Sequence, residues 1–256
     1  MTRALRIKIL ILVGFLLAAV LVFVPAIPQD LAYHDFADAR RIFGIPNFWN
    51  VISNLPFVLI GLWGIVNFNR KSDLAIFIWI FFLGFLLTGF GSAYYHWAPT
   101  NSTLVWDRLP MTIAFMSFFA MMIALHIQDR FGRLVLVPLL VLGVISVFYW
   151  AYTETLGRGD LRLYAAVQFV PIVLIPLAIG LFPVKRYPLK YFIALLAAYL
   201  GAKGFEHFDK AIFASIPMSG HAIKHVSASL SGLAFFFLVQ SCDKPVFKVD
   251  VAHSSV

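Results

Sequence analysis

The sequence predicts an all-α, polytopic membrane helix bundle, and three observations carry that expectation. Hydrophobic residues fill 61% of the chain and charged residues 12%. A soluble domain carries about 25% charged residues, so this chain has too little polar surface to face water. The apolar residues also come in continuous runs of about 20, the length that crosses a bilayer as helix. Finally, Lys and Arg gather in the short connections between those runs, as membrane orientation requires.

Eight runs are read as spans, at 7–24, 48–66, 75–95, 109–127, 134–152, 161–182, 189–205 and 220–239. The first follows Arg3, Arg6 and Lys8, which also describes a secretory signal. Its apolar stretch is long for a signal, however, and Val24-Pro25-Ala26 is a poor cleavage site, so it is read as a retained helix. The second opens on Phe48 and Trp49. The third ends in Gly91-Ser92-Ala93-Tyr94-Tyr95-His96, and Asp107 opens the fourth just across a short loop. The fifth follows Arg130 and Arg133. Pro171 and Pro176 should kink the sixth. Lys203, Glu206, His207 and Asp209 sit near the end of the seventh, and the last opens His221-Ala222-Ile223-Lys224-His225. No repeat and no Ser- or Gly-rich linker divides the chain, so the spans form one bundle.

The formal charge of +8 would suggest nucleic acid in a soluble protein. Here the loop cations account for it, and no nucleic-acid partner is expected. Cys242 is the only cysteine, which excludes an internal disulfide and a thiolate metal site. With the N-terminus cytoplasmic, that side holds twelve Lys and Arg residues, including Lys185, Arg186, Lys244 and Lys248. The other side holds six: Arg40, Arg41, Arg108, Arg158, Arg162 and Lys210. The bias places both termini in the cytoplasm.

Imidazole and charged side chains are costly in a membrane, so each is a functional candidate. His221 and His225 lie one turn apart on one helix face, and the same spacing puts Ser92 one turn before His96. In the orientation above, Ser92, His96, Asp107, His221 and His225 all fall at non-cytoplasmic helix ends. Three neutral imidazoles with an open fourth position are a catalytic zinc arrangement. Asp107 then serves as general base or orients a ligand, and Ser92 donates to an oxyanion. The same spacing also suits histidines that only hydrogen-bond between helices, or that hold a haem.

Four blocks resemble the alkaline ceramidase family. They are Asn47-Phe48-Trp49-Asn50-Val51-Ile52-Ser53-Asn54, Ser92-x3-His96, Trp106-Asp107-Arg108-Leu109-Pro110-Met111 and His221-x3-His225, in the family's order and spacing. The resemblance runs from about Tyr33 to Val239. It implies a seven-helix core, shared with adiponectin and progestin receptor-like proteins and GPI-lipid remodelling hydrolases. The chain then divides into an N-terminal helix and loop (1–32), the core (33–240) and a polar cytoplasmic tail (241–256). The resemblance further implies zinc (Zn2+) on His96, His221 and His225, with Ser92 and Asp107 at the catalytic centre. The implied reaction is hydrolysis of the ceramide amide bond to a sphingoid base and a fatty acid.

Two departures from the family pattern stand out. Its eukaryotic members hold calcium through an acidic cluster and a Glu where this chain has Asn47. Asp35, Asp38 and Asn47 are therefore the candidates for Ca2+ here, with fewer charges to hold it. Arg108 replaces a residue that is commonly acidic, which alters how Asp107 is paired. Lys203 is expected to pair with Glu206, and Lys224 to snorkel or to pair with an acid. His126 is read as interfacial, His34 as an ordinary loop residue and His253 as part of the tail. Trp49, Trp97 and Trp106 are read as interface anchors. The expected partner is a membrane lipid substrate, and no obligate protein partner is evident. Competing readings are a receptor or sensor with structural zinc, and a zinc hydrolase acting on another acyl lipid.

Overall fold

The computed structural model describes residues 1–184 and 188–242, and every named element in it is a helix. Lys185, Arg186, Lys244, Lys248 and His253, and the tail beyond 242, lie outside the described residues. The helices are α1 (Arg3–Phe23), α2 (Phe48–Ile52), α3 (Leu55–Asn67), α4 (Ala75–Trp97), α5 (Asn101–His126), α6 (Asp129–Thr155), α7 (Arg162–Leu181), α8 (Leu189–His207), α9 (Asp209–Ser215) and α10 (Gly220–Cys242). A 3-10 turn, Leu31–His34, precedes α2. The protein is a helical bundle of the polytopic membrane type, as the runs predicted.

Among the described residues, seven helices are long and apolar enough to cross a bilayer, with α2 and α3 counted together, against the eight expected spans. The run at 189–205 does form a helix, α8, packed against α10. It falls short in composition because Lys190, Lys203 and Glu206 interrupt its apolar character.

The second span is not continuous. Pro56 sits in the first turn of α3 and has no N–H to carry the ladder back into α2. Asn54 Nδ2 instead donates to the Asn50 carbonyl at 2.8 Å. The fourth span starts eight residues earlier than the apolar run, because a cap sets its origin. Thr100 and Thr103 form a reciprocal capping box, with N–H to Oγ1 distances of 3.0 and 3.1 Å. Asp107 therefore lies inside the second turn of α5 rather than at its mouth.

Two large Phe-rich and aromatic clusters fill the interior. One joins α3, α4, α5, α8 and α10, where the Phe81 and Phe235 rings lie 4.0 Å apart by centroid. The other sits around Tyr95, Trp150 and Tyr164. Glycine brings α4 and α5 unusually close, as small residues do between membrane helices. A Cβ at Gly91 would collide with the Trp106 carbonyl, which Pro110 leaves without its intrahelical donor. That approach sets the next residue of each helix, Ser92 and Asp107, facing one another.

Helix α1 buries no residue and is tied to the bundle by arginines. Arg6 donates to the Leu181 carbonyl at 2.8 Å, and Arg162 donates to the Leu21 and Val24 carbonyls at 3.2 and 2.7 Å. Each guanidinium satisfies carbonyls at the C-terminal end of a neighbouring helix. Asp160 aims Arg162 through bonds of 2.9 and 2.7 Å, which hold its carboxyl down at about 2. A carboxylate with a depressed folded pKa stabilises above its unfolded value, near 3.9, and loses that contribution as pH falls towards the folded one. Asp160→Asn should therefore lower the melting temperature at pH 5–7, and its gap from wild type should close between roughly pH 4 and 2. Thermal melts across pH would show an unchanging gap if the ion pair contributes nothing.

Candidate metal centre

Helix caps place the three histidines. Ser219 Oγ accepts from Ala222 N at 3.1 Å, and Asp209 Oδ1 accepts from His221 N at 2.8 Å. These two acceptors fix the start of α10, so His221 falls in its first turn and His225 in the next. His96 is the penultimate residue of α4. Asn47, in a left-handed conformation at φ 47°, turns its amide back to donate to the His96 carbonyl at 2.9 Å.

All three rings are buried. Their centroids lie 4.7–5.0 Å apart, and one nitrogen from each falls within 4.8 Å of the others. His96 Nε2 and His225 Nε2 are 3.1 Å apart. Ser53 Oγ meets His225 Nδ1 at 2.8 Å, which holds that ring with Nε2 turned inward. The Phe36 ring lies 4.7 Å from His96 and 4.8 Å from His221 by centroid.

The arrangement fits a metal on its own geometry. Two nitrogens bound tetrahedrally at 2.0–2.1 Å are roughly 3.3 Å apart, close to the observed pair. The His96 nitrogen turned towards His225 is Nε2, while its Nδ1 is buried on the other side of the ring. A haem suits the site less well. Axial imidazole nitrogens on opposite sides of one iron would be about 4 Å apart with a flat ring between them, and here three imidazoles converge.

Ser92 and Asp107 are buried, with side chains close enough to interact. Both line a 320 Å³ cavity together with His225, Lys224 and Glu206. Much of its lining is apolar, with Phe57, Phe85 and Phe115. A second cavity of 90 Å³ shares Phe85 and Phe115 and continues to Phe118 and Phe192, past Pro171 and Pro176 of α7.

Glu206 accepts from Lys203 at 2.9 Å, as the spacing predicted, and from Lys224 at 2.6 Å. Lys224 also lies 3.2 Å from His221 Nε2, so it reaches the metal centre rather than the surface. Tyr33, from the loop after α1, donates to Glu206 at 3.1 Å, and burial raises its phenol well above the ordinary value. His34 is held by Tyr95 and Asn101 at 2.9 Å each, away from the triad. His126, the last residue of α5, is buried, with Nδ1 2.8 Å from the Phe182 carbonyl.

The three residues considered for calcium differ in their surroundings. Asp35 is exposed. Asp38 is buried and clamped by Arg40 at 2.6 and 2.8 Å, which holds its carboxyl below the usual carboxylate range. Asn47 uses its amide nitrogen, not the oxygen a cation would take, to donate to the His96 carbonyl. Among the described residues, the three histidines are the one group of three or more His, Cys, Asp or Glu that could hold an ion.

Ser53 was legible only as part of a family-like block, and no role was legible for Gln29 or Tyr33. Ser53 meets its histidine across 172 residues, and the other two come from a loop whose path only the fold decides.

A search of curated proteins finds no match. Residues 43–180 match the family model described as Ceramidase, an interval that holds Ser92, His96 and Asp107 and ends before α10. More than half of the chain lies within that match, and the protein belongs to the ceramidase family.

Proposed function

We propose that the protein is a zinc-dependent hydrolase that cleaves the amide bond of ceramide-like lipids inside the membrane, releasing a sphingoid base and a fatty acid. The observation that carries this reading is a cluster of three buried imidazoles, one of which, His225, lines a largely apolar cavity with Ser92 and Asp107. His96, His221 and His225 would hold the zinc, which supplies an acidified water and polarises a carbonyl.

The rest of the chemistry falls to the chain. The Phe-lined cavity takes the acyl chain laterally from the bilayer and keeps water from it. Ser92 donates its hydroxyl proton to the carbonyl oxygen as negative charge develops there. Asp107 accepts a proton from the water that adds to the carbonyl carbon, and returns it to the departing nitrogen. Gly91 and the freed Trp106 carbonyl hold these two groups in register. Ser53 keeps the His225 ring oriented. In the proposed topology both termini are cytoplasmic and the site opens towards the other face.

The direct test is fatty acid release by the purified protein from a panel of ceramides, N-acylethanolamines and phospholipids. Release from the amide-linked sphingolipids is expected, with phospholipid esters cleaved much more slowly. Release from none of them would favour a receptor-like protein with structural metal.

A further inference from the structure

The cavity beside the histidines contains a cation with no anion of its own. Arg108, the residue after Asp107 on α5, is only 7% exposed and lines that cavity. Its Nη2 donates to Gln29 Oε1 at 2.6 Å, while Nη1 is buried without a hydrogen-bond partner. The guanidinium carbon lies 4.2 Å from the Trp150 ring centroid and 4.9 Å from that of Tyr164. Among the described residues Arg108 belongs to no ion pair, whereas Lys203 and Lys224 share Glu206.

A guanidinium stays charged whatever its surroundings. Aromatic faces offset part of its desolvation, but an unpaired charged N–H in an apolar wall remains costly. Three cations, Arg108, Lys203 and Lys224, face the cavity against two carboxylates, Asp107 and Glu206. One further anion would balance them. The planar fork of arginine matches a carboxylate better than any neutral group.

We propose that Arg108 binds a carboxylate carried by an acyl lipid at the polar end of the cavity. Gln29, Trp150 and Tyr164 hold the guanidinium in place, and its open Nη1 meets the anion. This inference rests on the reading of the cavity as an acyl-lipid site. The carboxylate has two sources. It is the head of the released fatty acid, or an acidic headgroup attached beyond the amide.

Equilibrium binding to the full-length protein in detergent tests this with two pairs of probes, palmitate against hexadecanol and N-palmitoylserine against N-palmitoylethanolamine. In at least one pair the acid should bind about tenfold or more tightly than its neutral analogue. The preference should survive treatment with EDTA, which removes any metal that would itself take the carboxylate. Arg108→Met should abolish the preference while leaving the neutral analogue's Kd unchanged. Arg108→Lys, which keeps the charge but loses the fork, should retain only part of it and serves if the Met variant does not fold. A preference confined to the palmitate pair assigns the product, and one confined to the serine pair assigns the headgroup. Equal binding of acid and neutral probes in both pairs overturns the proposal, as does a preference that persists in Arg108→Met or vanishes with EDTA. Binding is read without turnover, so a protein that hydrolyses no lipid could still pass this test, and an active hydrolase could fail it.

Discussion

His221→Ala is expected to empty the metal centre and to reduce fatty acid release at least about 1000-fold, roughly 4 kcal/mol of transition-state stabilisation. The size of the effect follows from geometry. His221 supplies one of three nitrogens that lie within 4.8 Å of each other, and two imidazoles alone leave zinc two ligands short of its tetrahedral set. The fold should survive the change, because the cap on α10 uses the His221 backbone N–H and Ser219 rather than the ring. Loss of ring packing against Phe36 should lower the melting point only modestly. Metal analysis by mass spectrometry, run beside the hydrolysis assay, checks both halves. Full activity in a metal-free His221→Ala protein would sink the mechanism.

Asp107→Asn is expected to lower kcat by about 10²- to 10⁴-fold with the zinc content unchanged, since proton transfer by a positioned group contributes on that scale. The substitution keeps the shape of the side chain and removes its basicity. Ser92→Ala should cost about 10²- to 10³-fold, as for loss of a single oxyanion donor. The two side chains face one another across the Gly91–Trp106 approach, so their effects should not add. A double variant no slower than Asp107→Asn alone would place them in one unit. Wild-type kcat in Asp107→Asn at full zinc occupancy would remove Asp107 from proton transfer.

The polar residues that ended up together show how far sequence reading reaches. His221 and His225 were legible because a four-residue spacing stacks side chains on any α-helix. Ser92 and His96 were legible for the same reason. Lys224 was harder to place. Its expected pairing with an acid is met by Glu206 of α8, which also brings its amine to 3.2 Å from His221. Asp38 and Asn47 looked like oxygen ligands by residue type alone. In the fold Asp38 is bonded to Arg40, and the Asn47 amide nitrogen donates to the His96 carbonyl. The start of α5 was also misplaced, because a threonine capping box rather than hydropathy sets it.

The sequence by itself determined the membrane class, the order of the helices and the periodic pairs within them. Each of these depends on local composition or on a repeat within one helix, and so needs no knowledge of neighbours. The tertiary structure decided which helices carry charge into the bundle, where the second span breaks, and which side chains meet across it. Those outcomes depend on contacts between segments far apart in the chain. Ser53 with His225, Gln29 with Arg108 and Gly91 with Trp106 all meet this way. In an apolar interior a polar group without a partner is costly, and only the packed bundle determines which groups meet.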